Sequence, residues 1–467
     1  MAERELLFDR SMSDQEALMW ALEQDPVLRS TFANVTFFEG RPDLDRFRAR
    51  MERAIVKLPR LHQRVVDPPG GIGVPTWADD PLFDLEFHIR HVAVPPPGTE
   101  RQVLDLASVL AGDPFDRARP LWQFVLIEGM ADGRGAMLQK IHHTITDGEG
   151  GIRLSAMFVD IEPDPPARPD GPDPGPAADE PPARSPGEAL RDTVSGALRF
   201  PAGMARRAVT DTFGALTHPW QIPARASGAV EASQSVIRQL GVTEPARSPL
   251  WGERSLRRHL EVLSIPLDDV KRSAKALGGT VNDLFVTGAV GGAGAYHRAK
   301  GMPVDTLRMA MPVSTRSDSG SGTNAFAPTR MLVPAGIEDP VERFDAIRAL
   351  VSSARSERAL GLFAQLSGVF TALPAPLLVR VARQQVGTVD FTTSNVRGAP
   401  FDLWIAGARL LANYPIGPMA GTAFNLTTMS YRGNLDMGCS IDTAAIEEPA
   451  LLRQCLVESF DELLVLG

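Results

Sequence analysis

Residues 141–150 read Ile141-His142-His143-Thr144-Ile145-Thr146-Asp147-Gly148-Glu149-Gly150. The fixed members form His-His-x-x-x-Asp-Gly, in a chain with only 8 histidines among 467 residues. The run Ala136-Met-Leu-Gln-Lys-Ile-His142 before it is mostly apolar, and so is Leu121-Trp-Gln-Phe-Val-Leu-Ile-Glu128. A turn, Ala131-Asp-Gly-Arg-Gly135, separates the two, which predicts an antiparallel hairpin ending at the histidines. Side chains alternate across a strand, so His142 and His143 point to opposite faces. His143 then shares a face with Ile141 and Gln139, and His142 shares one with Lys140. Only one imidazole can enter a given cavity, and the pattern assigns that place to His143.

Histidine is the side chain whose ordinary pKa suits proton removal from an alcohol, thiol or amine near neutrality. Asp147 has two possible tasks: to orient the imidazole, or to pair with an arginine and hold the loop. Its separation from the histidines across a strand end favours the second. Gly148 lets the backbone turn sharply and lets substrate approach closely. A structural role for the histidine pair stays open on spacing alone. Neighbouring strand residues diverge and do not readily share one ion, and there is no His-Glu-x-x-His pattern, so no metal is expected.

At 467 residues the chain is long for one core, and two lobes are expected. From Pro163 to Pro186 the prolines are too frequent for a helix or a central strand. The division is therefore an N-terminal lobe over 1–160, an extended linker over 161–186 and a second lobe over 187–467. Hydrophobic residues make up 43% and charged residues 22%, as in a soluble globular protein. The net charge of −9 argues against nucleic acid as a partner. Cys439 and Cys455 have no metal or redox spacing, which fits a reducing cytoplasm. The opening Met1-Ala-Glu-Arg-Glu-Leu-Leu-Phe-Asp-Arg10 does not read as a secretion signal. The longest uncharged apolar stretch, Leu284 to Tyr296, falls short of the ~18 residues that span a bilayer.

In the first lobe, Ser13 to Glu16 has capping-box spacing for a helix running toward Glu23. Pro42 is read as starting a second helix, with Leu44, Phe47, Met51, Ile55 and Leu58 on one stripe. Thr31–Phe38 and Phe87–Val94 read as strands, and Glu100–Leu110 as a helix. The pattern is α+β with an antiparallel or mixed sheet. In the second lobe, 187–216 is amphipathic and reads either as a solvated helix face or as a contact with a lipid surface. Leu260–Ile265 reads as a strand and Leu267–Leu277 as a helix. Thr280 and Asp283 have capping-box spacing for the next helix, which gives Asp283 a structural reading; Asn282, in the first turn, could reach into a cleft. Glycines 288, 291, 292 and 294 would let that helix pack closely. Leu307–Val313 and Asp390–Asn395 read as strands, and Thr422–Tyr431 with Leu435–Ile441 as a hairpin. No phosphate-cradling glycine motif is present.

Several blocks beside the histidines resemble the bacterial wax ester synthase/diacylglycerol acyltransferase family. These are Pro59-Arg-Leu-His-Gln-Arg-Val-Val66, Pro75-Thr-Trp-Ala-Asp-Asp80, Phe115-Asp-Arg-Ala-Arg-Pro-Leu-Trp122, Asn282-Asp283, Met311-Pro-Val-Ser-Thr-Arg316, Ser394-Asn-Val396, Ala406-Gly-Ala-Arg-Leu410 and Ser430-Tyr-Arg-Gly-Asn-Leu435. They run in order along nearly the whole chain outside the linker. Two positions depart: Arg397 stands where the family usually has proline, and Thr323 separates Gly322 from Asn324.

The resemblance implies an α/β fold with two chloramphenicol-acetyltransferase-like lobes, each a mixed sheet flanked by helices, and an active-site tunnel between them. It implies acyl transfer from acyl-CoA to diacylglycerol or a long-chain alcohol, with His143 as general base, a ternary complex and no cofactor beyond acyl-CoA as co-substrate. Asn282, Ser394 and Asn395 become candidates for oxyanion stabilisation or substrate positioning, with loop capping as the alternative. Such substrates live in lipid, so the expected location is cytoplasmic, peripheral to the inner membrane or to lipid inclusions. Two other functions remain open: another CoA- or carrier-dependent acyltransferase of the wider superfamily, and a non-catalytic protein of the lipid-droplet surface.

Overall fold

The computed structural model describes residues 9–68, 74–145, 154–165, 244–314, 326–356 and 375–467. The proposed 187–216 contact region lies outside these residues, as do most of the linker, Asp147, Gly148 and Thr323.

A seven-stranded sheet forms the first lobe, in the order β4 (Ile89–Ala93), β5 (Trp122–Glu128), β6 (Gly135–His142), β1 (Thr31–Glu39), β13 (Ala408–Ile416), β12 (Trp404–Ile405), β7 (Val159–Asp160). The hairpin expected before the histidines is β5–β6, with Trp122 opposite Ile141. β1 pairs with β6 so that Thr31 faces His142, and β2 (Gln63–Val66) and β3 (Thr76–Asp79) form a separate antiparallel pair. Helix α1 (Asp14–Leu22) begins at the Ser13–Glu16 capping box and α4 (Glu100–Gly112) at one made by Thr99 and Gln102. Between them, α2 (Leu44–Lys57) packs Phe47, Met51 and Ala54 on one face of the sheet, while α4 packs Val103, Leu104 and Ala107 on the other.

Two boundaries differ from the sequence reading. α2 starts two residues after Pro42, at Leu44, because the Asp43 side chain takes the Arg46 amide at 3.0 Å and is the N-cap. The segment read as a strand from Phe87 starts instead as a short helix, α3 (Leu85–His88), capped by Asp84, before β4 begins at Ile89. Buried His88 holds that helix to the sheet through the Trp122 carbonyl at 2.8 Å, and burial pushes its imidazole down to about 4.

The second sheet runs β10 (Phe326–Val333), β9 (Leu307–Ser314), β11 (Phe391–Val396), β14 (Phe424–Tyr431), β15 (Asn434–Asp442), β8 (Arg258–Pro266). β11 is parallel to both neighbours, but it pairs with β9 only at Phe391 and Thr392 and runs beside β14 throughout. Among the described residues, α5 (Leu267–Ala276), α6 (Val281–Ala299), α7 (Pro340–Ser356) and α9 (Pro449–Leu464) pack about this sheet. α6 is apolar nearly all round and runs through the core. Its glycines do what their spacing predicts. A Cβ at Gly288 would stand 2.2 Å from the Phe460 ring, and one at Gly292 2.7 Å from Leu456, so α9 lies directly against the α6 backbone.

The division in space is not the division in sequence. β12 and β13 belong to the 187–467 segment, yet they complete the first sheet. β13 is also where the sheets touch: a Cβ at Gly438 on β15 would meet the Pro415 carbonyl at 2.0 Å. On another side of the junction, α4 reaches β8, with Arg101 donating to the Leu260 carbonyl at 2.7 Å. Helix α8 (Ala375–Val386) packs on α1, and Arg383 is ion-paired with Asp25 across the two halves.

Candidate active site

A cavity of about 850 Å³ opens between the two sheets. α1 supplies Leu18, Met19 and Leu22, and the first sheet supplies Phe32, Gln139 and Ile141. The second half supplies Thr392, Ser394, Asn395 and Met429, with Val386 from α8. Most of this lining is aliphatic or aromatic. Ile161 and Phe401, 72% and 53% exposed, stand among the lining residues at solvent.

His143 borders this cavity and His142 does not, as strand alternation predicts. Gln139 and Ile141 share the cavity face with His143. The His143 ring lies 4.6 Å from that of Phe32, and its backbone N–H donates to the Ser30 carbonyl at 3.1 Å. On the other face, Lys140 is sealed in, donating to the Leu110 and Asp113 carbonyls at the end of α4 at 2.9 and 2.6 Å. Burial pushes its amine down to about 8.

His142 is fully buried and both ring nitrogens are engaged. Nδ1 receives the Thr144 amide at 3.1 Å and meets the Thr144 hydroxyl at 2.7 Å. Nδ1 is therefore an acceptor, and Nε2 carries the hydrogen that points at Glu23 Oε2, 2.9 Å away. Burial alone would push the Glu23 carboxyl up. The hydrogen bond from His142, with the Ser30 amide and the charge of Arg29, outweighs burial and holds it below its ordinary value. Glu23 was legible in the sequence only as the end of a helix. A carboxylate at a helix C-terminus opposes the backbone dipole, and that is the signal that it has another partner.

The second-half candidates divide. Ser394 and Asn395 line the cavity. Asn282 lies outside the lining; its Oδ1 accepts from Asn395 Nδ2 at 3.3 Å and its own amide sits 4.0 Å from Met311 Sδ. Asp283 is a cap: its carboxylate accepts from the Thr280 amide and hydroxyl at 2.9 and 2.7 Å. The Asn-Asp pair thus supports Asn395 and the α6 start instead of facing the cavity. Asp147 and Gly148 lie outside the described residues. Arg397, the departure from the family pattern, borders the cavity.

Sequence reasoning passed over a polar chain on the cavity wall. Gln139 donates to the Thr36 hydroxyl at 3.3 Å, which donates to Asn413 at 3.0 Å. The backbone N–H of Asn413 donates to Asp436 Oδ2 at 2.9 Å, joining the sheets. These are isolated polar residues inside strands, and only the pairing of β1 with both β6 and β13 brings them together. Among the described residues no three His, Cys, Asp or Glu side chains are grouped to hold a metal ion.

A family model described as the wax ester synthase/diacylglycerol acyltransferase catalytic domain matches residues 12–285, and one described as the WS/DGAT C-terminal domain matches residues 323–464. The chain belongs to the wax ester synthase/diacylglycerol acyltransferase family. It is an acyltransferase. A Mycobacterium tuberculosis protein provisionally named a diacylglycerol O-acyltransferase is 38% identical over 467 residues, spanning 96% of this chain and 91% of its own. A second protein of that organism with a similar provisional name is 27% identical over 443 residues, 91% and 89% of the two chains. Among solved structures, the wax ester synthase/diacylglycerol acyltransferase of Marinobacter aquaeolei VT8 is similar with a TM-score of 0.63 at 20% identity, covering 97% of this chain and 98% of that one. A starter condensation domain of rhizomide synthetase, solved with C8-CoA, is similar at 0.56 and 13%, covering 97% and 94%. These likenesses bear on the fold, which is the two-lobed α/β architecture expected from the sequence.

Proposed function

We propose that this acyltransferase moves a long-chain acyl group from acyl-CoA to the hydroxyl of diacylglycerol or of a long-chain alcohol, with His143 as general base. The observation that carries the reading is the cavity itself. It is large, mostly apolar and drawn from both halves, and it is bordered by His143 while His142 is sealed behind the same strand. The His143 imidazole takes the hydroxyl proton as that oxygen attacks the thioester carbonyl. The tetrahedral adduct collapses, the C–S bond breaks, and the imidazolium returns the proton to the CoA thiolate. Both substrates are present at once and no acyl-enzyme forms. A base so placed contributes roughly 10²–10⁴-fold in rate. Ser394 and Asn395 border the same space and are the polar groups offered to the oxyanion, with Asn282 holding Asn395 in place.

One observation supports entry of lipid substrates from a surface. Ile161 and Phe401 put exposed apolar side chains among the lining residues. The proposal includes peripheral contact with an inner membrane or lipid inclusion; no helix among the described residues is long and apolar enough to cross a membrane. The test is thiol release from palmitoyl-CoA with dioleoylglycerol, hexadecanol or a short soluble alcohol, the ester products being identified by mass. Ester formation with either lipid acceptor is expected. Thiol release that yields only free palmitate, or ester formation only from a carrier-bound donor, would contradict the reading.

A further inference from the structure

A second, smaller cavity of about 70 Å³ lies where α4, the Pro26–Ala33 segment, β8 and the loop after β13 meet. Phe32, Ile416 and Pro418 line both cavities, so the two are neighbours across a shared wall. The small one is lined by two arginines, Arg29 and Arg258, and by no acidic residue. Like charges facing one recess are unfavourable unless something balances them.

The balance within the protein is partial. Among the described residues Arg29 makes one hydrogen bond, from Nη1 to the Gly112 carbonyl at 3.2 Å, and its charge also acts on the Glu23 carboxylate, which lies outside the lining. Arg258 uses Nη1 alone, on the Ser255 and Arg257 carbonyls at 2.9 and 3.4 Å. Its nearest carboxylate, Asp442, is 3.6 Å from that same nitrogen and already accepts the Ser255 amide and hydroxyl, each at 2.6 Å. Nε and Nη2 of both guanidinium groups are left without a partner among the described residues. Burial pushes the Arg258 guanidinium down, Asp442 opposes this, and the charge of Arg29 adds to the downward push. A separate observation points the same way. Thr31, also in the lining, has a buried hydroxyl with no hydrogen-bond partner among the described residues. Ser108 and Ser440, 7% and 6% exposed, add two more hydroxyls.

We propose that this recess is an anion subsite that takes a phosphate group of the acyl-CoA donor, gripped by Arg29 and Arg258 with Thr31 as a hydroxyl donor. Guanidinium forks match phosphate oxygens in geometry and charge. The proposal rests on acyl-CoA being the donor. Arg29 itself borders both cavities, which sets the recess directly beside the space where the thioester would react. Arg29 is joined to the base by one residue, since the carbonyl of Ser30 receives the His143 amide. A phospholipid headgroup offers the same phosphate chemistry. The Arg258 side chain is only 14% exposed, however, and a recess that adjoins the catalytic cavity suits a donor that must enter that cavity.

The test compares palmitoyl-CoA with palmitoyl-pantetheine, which lacks every phosphate, in the full chain and in Arg29→Gln and Arg258→Gln. Each substitution is expected to raise KM for palmitoyl-CoA about tenfold or more, the scale of a lost charged hydrogen bond. In Arg258→Gln, whose side chain borders the small cavity alone, turnover of palmitoyl-pantetheine stays unchanged, which also shows that this variant is folded. Equal losses on both donors, no loss on either, or the same selective loss in Arg397→Gln instead would overturn the assignment. Vesicles of phosphatidylglycerol separate the other source: variants that lose vesicle binding while keeping the native KM for palmitoyl-CoA place a lipid headgroup in the recess and overturn it. If the native chain uses neither donor, the donor reading has failed by itself. Calorimetry with adenosine 3′,5′-bisphosphate then decides the subsite. Binding that disappears in the double variant sustains it, and no binding by the native chain refutes it.

Discussion

Glu23 and His142 form a buried pair, Oε2 to Nε2 at 2.9 Å, that ties the end of α1 to the strand carrying the catalytic candidate. The same Oε2 accepts the Ser30 amide at 2.9 Å, and the Ser30 carbonyl in turn receives the amide of His143. One carboxylate thus fixes the neighbour of His143 through a side chain and His143 itself through the backbone.

Glu23→Ala leaves two buried donors unsatisfied, the His142 ring N–H and the Ser30 amide. Each costs about 1–3 kcal/mol. Denaturant unfolding should therefore show a loss of about 3 kcal/mol, with kcat reduced because the loop bearing His143 is released. Glu23→Gln keeps one acceptor and should lose less of both. Because the folded Glu23 carboxyl lies below its ordinary value, its contribution is present above that value and fades as the pH falls through the lower one. The difference in stability between native and Glu23→Gln should accordingly shrink in acid. A difference that is constant from neutral pH to pH 3 would contradict the pair.

Lys140 has the opposite linkage. Its amine falls from an ordinary value of 10.5 to about 8 when the chain folds, so between these values the unfolded chain holds more protons than the folded one. Stability rises with pH across that window. In Lys140→Met the rise should be absent, which a series of thermal or urea transitions from pH 7.5 to 10.5 will read. An unchanged slope would show that the amine is not desolvated.

The glycines of α6 are a packing device. A methyl group at position 288 would stand 2.2 Å from the Phe460 ring and one at position 292 2.7 Å from Leu456. Gly288→Ala and Gly292→Ala remove a helix-propensity penalty of about 1 kcal/mol, yet overpacking costs about 1–3 kcal/mol and prevails. Both are expected to lower the melting temperature; stabilisation by either would mean that α9 can stand away from α6.

The parts of the fold that the sequence made legible are those with local causes. Ser13–Glu16 and Thr280–Asp283 are capping boxes whose partners are three residues apart, and both appear where the spacing puts them. Strand alternation sufficed to separate His142 from His143. What was not legible depends on distant pairing. β12 and β13 cross into the first sheet because β13 pairs with β1, which is 370 positions away at the contact of Glu39 with Arg409. The Gln139–Thr36–Asn413 chain and the Asn282–Asn395 contact exist only after such pairings are made. Pro42 misled because Asp43, a better cap, follows it.

The proposed transfer requires His143 as the proton acceptor beside the acceptor hydroxyl. The direct measurement is kcat for palmitoyl transfer by His143→Ala under saturating substrates, with unfolding followed on the same sample. The expected result is a fall of roughly 10²–10⁴-fold at native stability, whereas His142→Ala loses stability because the Glu23 pair is broken. Transfer within a few-fold of native by His143→Ala would contradict the account.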